Sequence, residues 1–337
     1  MSAGGLSRKV IAEIVGGLLL LAVLLGGGGA AWFWSAFTGS GPLAEETTLI
    51  IPKGSGVAAI ADLLAEGGVI EQPLVFKVGV KLFGKEQPLQ AGEFRFPAGI
   101  SQRGAMQVLI EGKSVLHRIT IAEGLTVREI FAVLQQSPLL DGPLPPPPPE
   151  GSLLPETYFF VRGDARAAIV ERMQGNMRET LAALWAQRAP ELATIDSPEA
   201  AVILASIVEK ETGLKDERAR VAAVFHNRLR IGMPLQSDPT AIYGLTLGQE
   251  ALGRSLTTSD LKAVNDYNTY VIPGLPPAPI ANPGAAALQA VLNPMNTKEL
   301  YFVADGTGGH AFAETLDQHN RNVAKWRKFL KQQTQAE

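Results

Sequence analysis

Residues 14–37, IVGGLLLLAVLLGGGGAAWFWSAF, carry no charged side chain. A membrane-spanning helix needs about 20 consecutive apolar residues. This run meets that length, so it is expected to form a transmembrane helix over residues 10–37. Arg8 and Lys9 precede it, no Lys or Arg follows until Lys53, and Glu45 and Glu46 come first on the far side. Basic residues stay on the cytoplasmic side of a span. The expected layout is a cytoplasmic tail over residues 1–9, one pass through the cytoplasmic membrane, and everything beyond about Gly39 outside. Trp32, Phe33 and Trp34 would then sit in the outer interfacial belt. The rival reading is a signal peptide cleaved near Ala36. Its apolar segment usually spans about 7–15 residues, and the run here exceeds that, which favours a retained anchor.

Composition removes several classes of function. The 337 residues carry a net charge of −3, without the excess of Lys and Arg that phosphate neutralisation requires, so nucleic acid is not an expected partner. There is no cysteine, which excludes disulfides, zinc–thiolate sites, iron–sulfur clusters and thiol nucleophiles. The histidines His117, His226, His310 and His319 show no metal-ligand spacing. GTGG near residue 308 lacks the Lys-Ser or Lys-Thr of a phosphate loop. Neither a metal nor a cofactor is expected. His310 belongs either to the lining of a cleft or to a surface loop.

Past the apolar run the chain reads as α+β. Residues 46–115 form a small α+β unit: TTLIIP and AGEFRFPAG as strands, and helices over GVAAIADLLAEGGVI, PLVFKVGVKLFG and a segment that Ser101 caps. Residues 116–150 form a connection, a strand in HRITIAEG and a helix that Thr126 opens, ending in the proline run DGPLPPPPPEG. That run suits a polyproline II spacer or an exposed loop. Residues 151–337 form a second, mixed α+β domain. In it Ser197-Pro198-Glu199 is a strong helix start, and Gly213 stops the helix. SDPTAIYG, YNTYVIPGLPPAPIANPG and YFVADGTGGHAF read as loop-rich, and a last amphipathic helix closes the chain.

The helix AAVILASIVEKETG ends in two glutamates around a lysine. Residues three, four and seven apart share a helical face. Glu211 continues the stripe of Leu204, Ile207 and Val208, whereas Glu209 lies above Ser206, Ala205 and Val202. A carboxyl against aliphatic surface is desolvated, and its pKa rises. A Glu tuned to about 6–7 can donate a proton at neutral pH. Glu211 is therefore the candidate general acid. Glu209 is a candidate support, salt-bridged for instance to Arg228 or Arg230, with Ser206 below it. Asp238 is either a second carboxylate or an Asx-turn residue ahead of Pro239. Gln236 could hydrogen-bond an N-acetyl group. Tyr267, Asn268, Thr269 and Tyr270 offer aromatic faces and amides to a sugar, or pack internally.

ASIVEKET, VFHNRLRIGMPLQSDPTAIYG, YNTYVIPGLPPAPIANPG and YFVADGTGGHAFAETLDQHN resemble, in order, the signatures of the endolytic murein transglycosylases, the MltG or YceG-like family. The resemblance implies that the unit over residues 46–115 is LysM-like and that residues 151–337 are catalytic. It implies peptidoglycan glycan strands as substrate and cleavage of the β-1,4 bond between N-acetylmuramic acid and N-acetylglucosamine without water. The muramic C6 hydroxyl attacks its own C1, leaving a 1,6-anhydro end. The family's catalytic glutamate falls on Glu211. Penicillin-binding synthases are the partners expected of an enzyme that ends nascent strands. Two alternatives stay open: a lysozyme-like muramidase that uses Asp238 as its second carboxylate, and a non-catalytic peptidoglycan-binding scaffold.

Overall fold

The structure, a computed structural model, describes residues 8–84 and 87–334. Of the tail expected over residues 1–9, residues 1–7 lie outside the described residues. The fold is mixed α+β and divides into two compact units. One is Met1–His117 with Val161–Gly163, the other Arg118–Phe160 with Asp164–Glu337.

The first unit begins with helix α1 (Arg8–Thr38), 31 residues long. At 1.5 Å per residue it measures about 46 Å, against about 30 Å for a bilayer's hydrocarbon core. It is thus long and apolar enough to cross a membrane. Strand β1 (Thr47–Ile51), helices α2 (Val57–Glu66) and α3 (Pro73–Phe83), strand β2 (Gly92–Phe96) and helix α4 (Gln102–Glu111) follow. The strands are antiparallel, with Thr47 opposite Phe96 and Ile51 opposite Gly92. Alternation along β2 sends Phe94 and Phe96 into a core with Ile60, Leu64, Phe76 and Leu109. Helix starts follow local chemistry: Pro73 occupies the first position of α3, and Ser101 Oγ accepts the Gly104 N–H at 3.0 Å.

The last turns of α1 are part of this core. Phe37 is fully buried and stacks between Phe33 and Phe83. Gly79 makes room for it, since a Cβ there would lie 2.2 Å from the Phe37 ring. Gln102 Nε2 donates to the Ala36 carbonyl at 3.2 Å. Phe33, expected in the interfacial belt, is half-buried and stacks on Phe37.

Strand β3 (Leu116–Thr120) pairs with β4 (Thr157–Val161), and most of both strands belongs to the second unit. Helix α5 (Val127–Gln136) lies between them in sequence, opened by a capping box of Thr126 and Glu129. The proline run adopts neither helix nor strand. Helix α6 (Arg166–Ala186) joins α5 over a core that includes Ile130, Leu134, Phe160 and Met173. Helix α7 (Pro198–Glu211) starts as its caps predict, with Ser197 Oγ accepting the Ala200 N–H at 3.1 Å. It packs against α6, α8 (Arg218–Arg230), α9 (Asp238–Thr246) and α11 (Ala285–Leu292). From Leu204 to Val208 every residue is 0 % exposed, so the second half of α7 is buried on every side.

Between α9 and α11 lies the short α10 (Thr258–Leu261), and strands β5 (Tyr301–Ala304), β6 (His310–Ala313) and helix α12 (Leu316–Thr334) end the described chain. Two segments differ from their loop-rich reading. YFVADGTGGHAF is an antiparallel hairpin with Tyr301 opposite Ala313. Strands of four residues are too short to show alternation. SDPTAIYG opens α9, with Pro239 in its first turn.

Phe37→Ala tests the seating of α1. Emptying such a site costs about 3–5 kcal/mol. Amide exchange in β1, β2 and α4 is expected to accelerate by at least about 10²-fold for the full chain in detergent. Unchanged exchange there would show that α1 is not part of that core.

Candidate active site

Glu199 is exposed in the first turn of α7 and the second half of the helix is buried; at its C-terminal end Glu209 and Glu211 leave in different directions. Glu209 points back into protein, its side chain 4 % exposed. Arg218 Nη2 donates to it at 3.1 Å and to Glu123 at 3.0 Å, and the Gly284 N–H donates to its second oxygen at 2.9 Å. Burial raises its pKa, and the Glu123 charge adds to that. The Gly284 N–H and Arg218 oppose the rise. The ion pair expected with Arg228 or Arg230 is thus made with Arg218, at the start of α8. Arg228, buried, instead donates to the carbonyls of Leu300 at 2.6 Å and Leu235 at 2.6 Å. Arg230 bonds Asn227 at 2.7 Å.

Glu211 meets a different environment. Among the described residues its carboxylate accepts one side-chain hydrogen bond, from Ser237 Oγ at 2.5 Å. Burial pushes the carboxyl up to about 7, and the charge of Asp238 pushes the same way. The Ser237 bond, His310 and Arg228 hold it from rising further. A carboxyl in this state exchanges a proton at neutral pH.

Asp238 is exposed beside it. Its Oδ1 accepts the Tyr270 hydroxyl at 2.6 Å and does not close the Asx turn weighed for it. The Tyr270 phenol is pushed up, first by burial and then by this bond. Gln236 is exposed with φ 50°, a left-handed conformation that costs a side-chain-bearing residue of order 1 kcal/mol. Its N–H donates to the Thr269 carbonyl at 3.1 Å. His310 is held on the other side, Nδ1 to Glu217 at 2.7 Å and its N–H to the same carboxylate at 2.9 Å.

Asn268 and Thr269 turn inward, contrary to a role in touching sugar. Both are fully buried. Asn268 Nδ2 reaches the Ala263 carbonyl at 2.8 Å, and Thr269 Oγ1 accepts the Ser237 N–H at 3.0 Å. They shape the loop that presents Tyr270 and Ser237. Tyr267 packs on Tyr243 with ring centroids 4.8 Å apart. Ser206 is fully buried, accepting the Ile280 N–H at 3.0 Å, and so pins the proline-rich loop to α7. Within that loop Asn282 bonds Glu150 at 2.7 Å and the Leu153 N–H at 3.0 Å. Burial pushes Glu150 up to about 7 as well. Ser237, Arg218, Glu150 and Asn282 carried no signal of their own in the sequence.

A cavity of about 510 Å³ opens between α5, the end of α7 and α9, and Glu211 and Asp238 are not among its walls. Among its walls are Lys210 and Pro239, the chain neighbours of Glu211 and Asp238, with Ile242, Tyr243 and Ile280. A carboxyl poised near neutrality is equipped for general acid–base chemistry. The chain belongs to the YceG-like family, whose model matches residues 49–325.

An endolytic murein transglycosylase of Bacillus subtilis is 29% identical over 307 residues, covering 82% of this chain and 83% of that protein. Another from Streptococcus pneumoniae is 28% identical, over 82% of this chain and 58% of the relative's length. A crystal structure of a yceG-like protein from Listeria monocytogenes matches with a TM-score of 0.50 and 28% identity, over 82% of this chain and 99% of that one.

Glu211 binds its proton more tightly folded than unfolded. The stability this confers is full below its ordinary value of 4.5 and is lost as pH rises to about 7. Glu211→Gln removes the dependence. Its stability advantage over the parent is expected to grow by about 3 kcal/mol from pH ~4 to pH ~8. Urea unfolding at both pH values checks this, and a constant difference would mean that the carboxyl is not displaced upward.

Proposed function

We propose that this chain is a membrane-anchored endolytic lytic transglycosylase. It cuts the bond between N-acetylmuramic acid and N-acetylglucosamine in peptidoglycan glycan strands and leaves 1,6-anhydro ends. What carries this reading is the buried carboxyl of Glu211, held by the Ser237 hydroxyl and pushed by burial up to about 7. The names of the relatives and the family membership support the substrate class.

In this mechanism the Glu211 carboxyl gives its proton to the glycosidic oxygen as the C1–O4 bond breaks. Positive charge develops at C1 of the muramic ring. The C6 hydroxyl of the same sugar attacks C1, and its proton passes to the Glu211 carboxylate. The acid is regenerated and no water is consumed. One carboxyl suffices because the nucleophile is internal, whereas hydrolytic glycosidases need two. Asp238, fixed by Tyr270, would stabilise the positive charge, and Gln236 would meet an N-acetyl group.

The span α1 would hold the enzyme in the cytoplasmic membrane with its N-terminus inside. The unit over residues 46–115 would be LysM-like and bind glycan, and residues 151–337 would form the catalytic domain. This location would bring the protein to newly made strands and to the penicillin-binding synthases that extend them. A muramidase reading rests on one observation, the exposed Asp238 carboxylate beside Glu211.

Digestion of purified glycan strands by the full chain in detergent separates the readings. Anhydro ends, lighter by one water than hydrolysed ends, are expected by mass spectrometry. Glu211→Gln is expected to lower the rate by at least about 10²-fold while glycan binding persists. Hydrolysed ends would establish the muramidase, and undiminished cleavage by Glu211→Gln would remove Glu211 from the mechanism.

A further inference from the structure

We infer that α3 is a membrane-interface helix, whose outer face lies in the lipid headgroup layer where α1 leaves the bilayer. The inference rests on the reading of α1 as a membrane span and adds to it a second contact with lipid.

Leu74, Val78 and Leu82 recur every fourth residue and form one stripe along α3. They point away from the core that Val75, Phe76, Gly79 and Val80 enter. Leu74 is 72 % exposed, Leu82 55 % and Phe83 52 %. A soluble helix presents polar residues on such a face. Other large exposed apolar residues of this unit, such as Ile50 and Val57, lie elsewhere. A stripe of this kind needs a cover.

The position of the stripe indicates lipid. Pro73, Leu74, Val75 and Val78 share a groove of about 410 Å³ with Trp32 and Phe33 of α1. At the other end of α3, Phe83 meets Trp34 edge-on and stacks on Phe37. The two ends of α3 thus touch α1 at levels five residues apart, about 7 Å along its axis. The 11 residues of α3 measure about 16 Å, so α3 crosses α1 obliquely. If α1 stands across the bilayer, α3 lies closer to the membrane plane than to its normal. It lies at the height of Trp32 and Trp34, residues suited to the interface.

The charges suit an anionic lipid surface. Lys77 and Lys81 flank the stripe, Lys77 also pairing with Asp62 at 3.8 Å. Arg103 of α4 lies over the Trp34 ring, 5.8 Å from its centroid. Glu71 is the acidic residue at the groove. Apolar residues that insert into the acyl boundary beneath a rim of Lys and Arg are the pattern of an interfacial helix. With Phe37 locked beside Gly79, contact along α3 would fix the tilt of the first unit on the membrane.

The absence of cysteine makes the test direct. Single nitroxide labels are placed on the full chain by Leu74→Cys, Val78→Cys and Leu82→Cys, with Leu24→Cys and Arg95→Cys as references. The variants are reconstituted at low density in vesicles of phosphatidylethanolamine and phosphatidylglycerol. Collision with oxygen and with a water-soluble nickel chelate reports the depth of each label. Labels at 74, 78 and 82 are expected to favour oxygen over nickel, at depths between those of Leu24 and Arg95. Labels at 74, 78 and 82 in water with Leu24 in hydrocarbon would overturn the inference and leave the span intact. Leu24 in water would remove the span, and the inference with it. Shielding from both reagents with coupling between labels would assign the stripe to a second copy of the chain and also overturn it.

Discussion

A carboxyl at the end of a buried helix has few means of being satisfied. Water is largely excluded, and the helix C-terminus presents carbonyl dipoles that disfavour negative charge. Helix α7 carries two such groups and treats them oppositely. Glu209 receives a guanidinium and a backbone N–H, and through them it joins α7 to Arg218, Glu123 and Gly284. Glu211 receives one hydroxyl. The two glutamates differ in compensation rather than in residue type.

The surrounding loops are arranged to maintain that difference. Ser206 holds Ile280, Asn282 holds residues 125 and 153, and a Cβ at Gly284 would push the Glu123 carboxylate aside. Thr269 and Thr240 bond each other at 2.7 Å and fix Ser237, the donor to Glu211. Buried loop backbone must find hydrogen-bond partners, and this loop finds them in Asn and Thr side chains. These polar residues therefore lie inside, although their place among Pro and Gly suggests a surface.

Where one face of one helix carries the information, the sequence was sufficient. The caps of α7 at Ser197 and Pro198, the aliphatic stripe below Glu211 and its upward pKa all follow from spacing within a single element. Statements that needed the relative placement of two elements did not follow. Spacing on α7 cannot tell whether Arg218, Arg228 or Arg230 of α8 faces Glu209. Ser237 gives no sign that its hydroxyl reaches a residue on another helix. The β5–β6 hairpin escaped notice because its strands are four residues each, too short for a period of two to register. The burial of Phe37 was not legible because an aromatic near the end of an apolar run suits lipid and a protein core equally.

The central claim is that one carboxyl, Glu211, acts first as acid and then as base. Its most direct test is the pH dependence of kcat/KM on a soluble glycan oligomer, for the parent and for Ser237→Ala. The parent's activity is expected to fall on the alkaline side with a midpoint near 7, where the free enzyme loses the proton of Glu211. Ser237→Ala removes a hydrogen bond that favours the charged form, so its midpoint should move upward. A midpoint that stays in place in Ser237→Ala, or a parent midpoint near the ordinary carboxyl value of 4.5, would contradict the account.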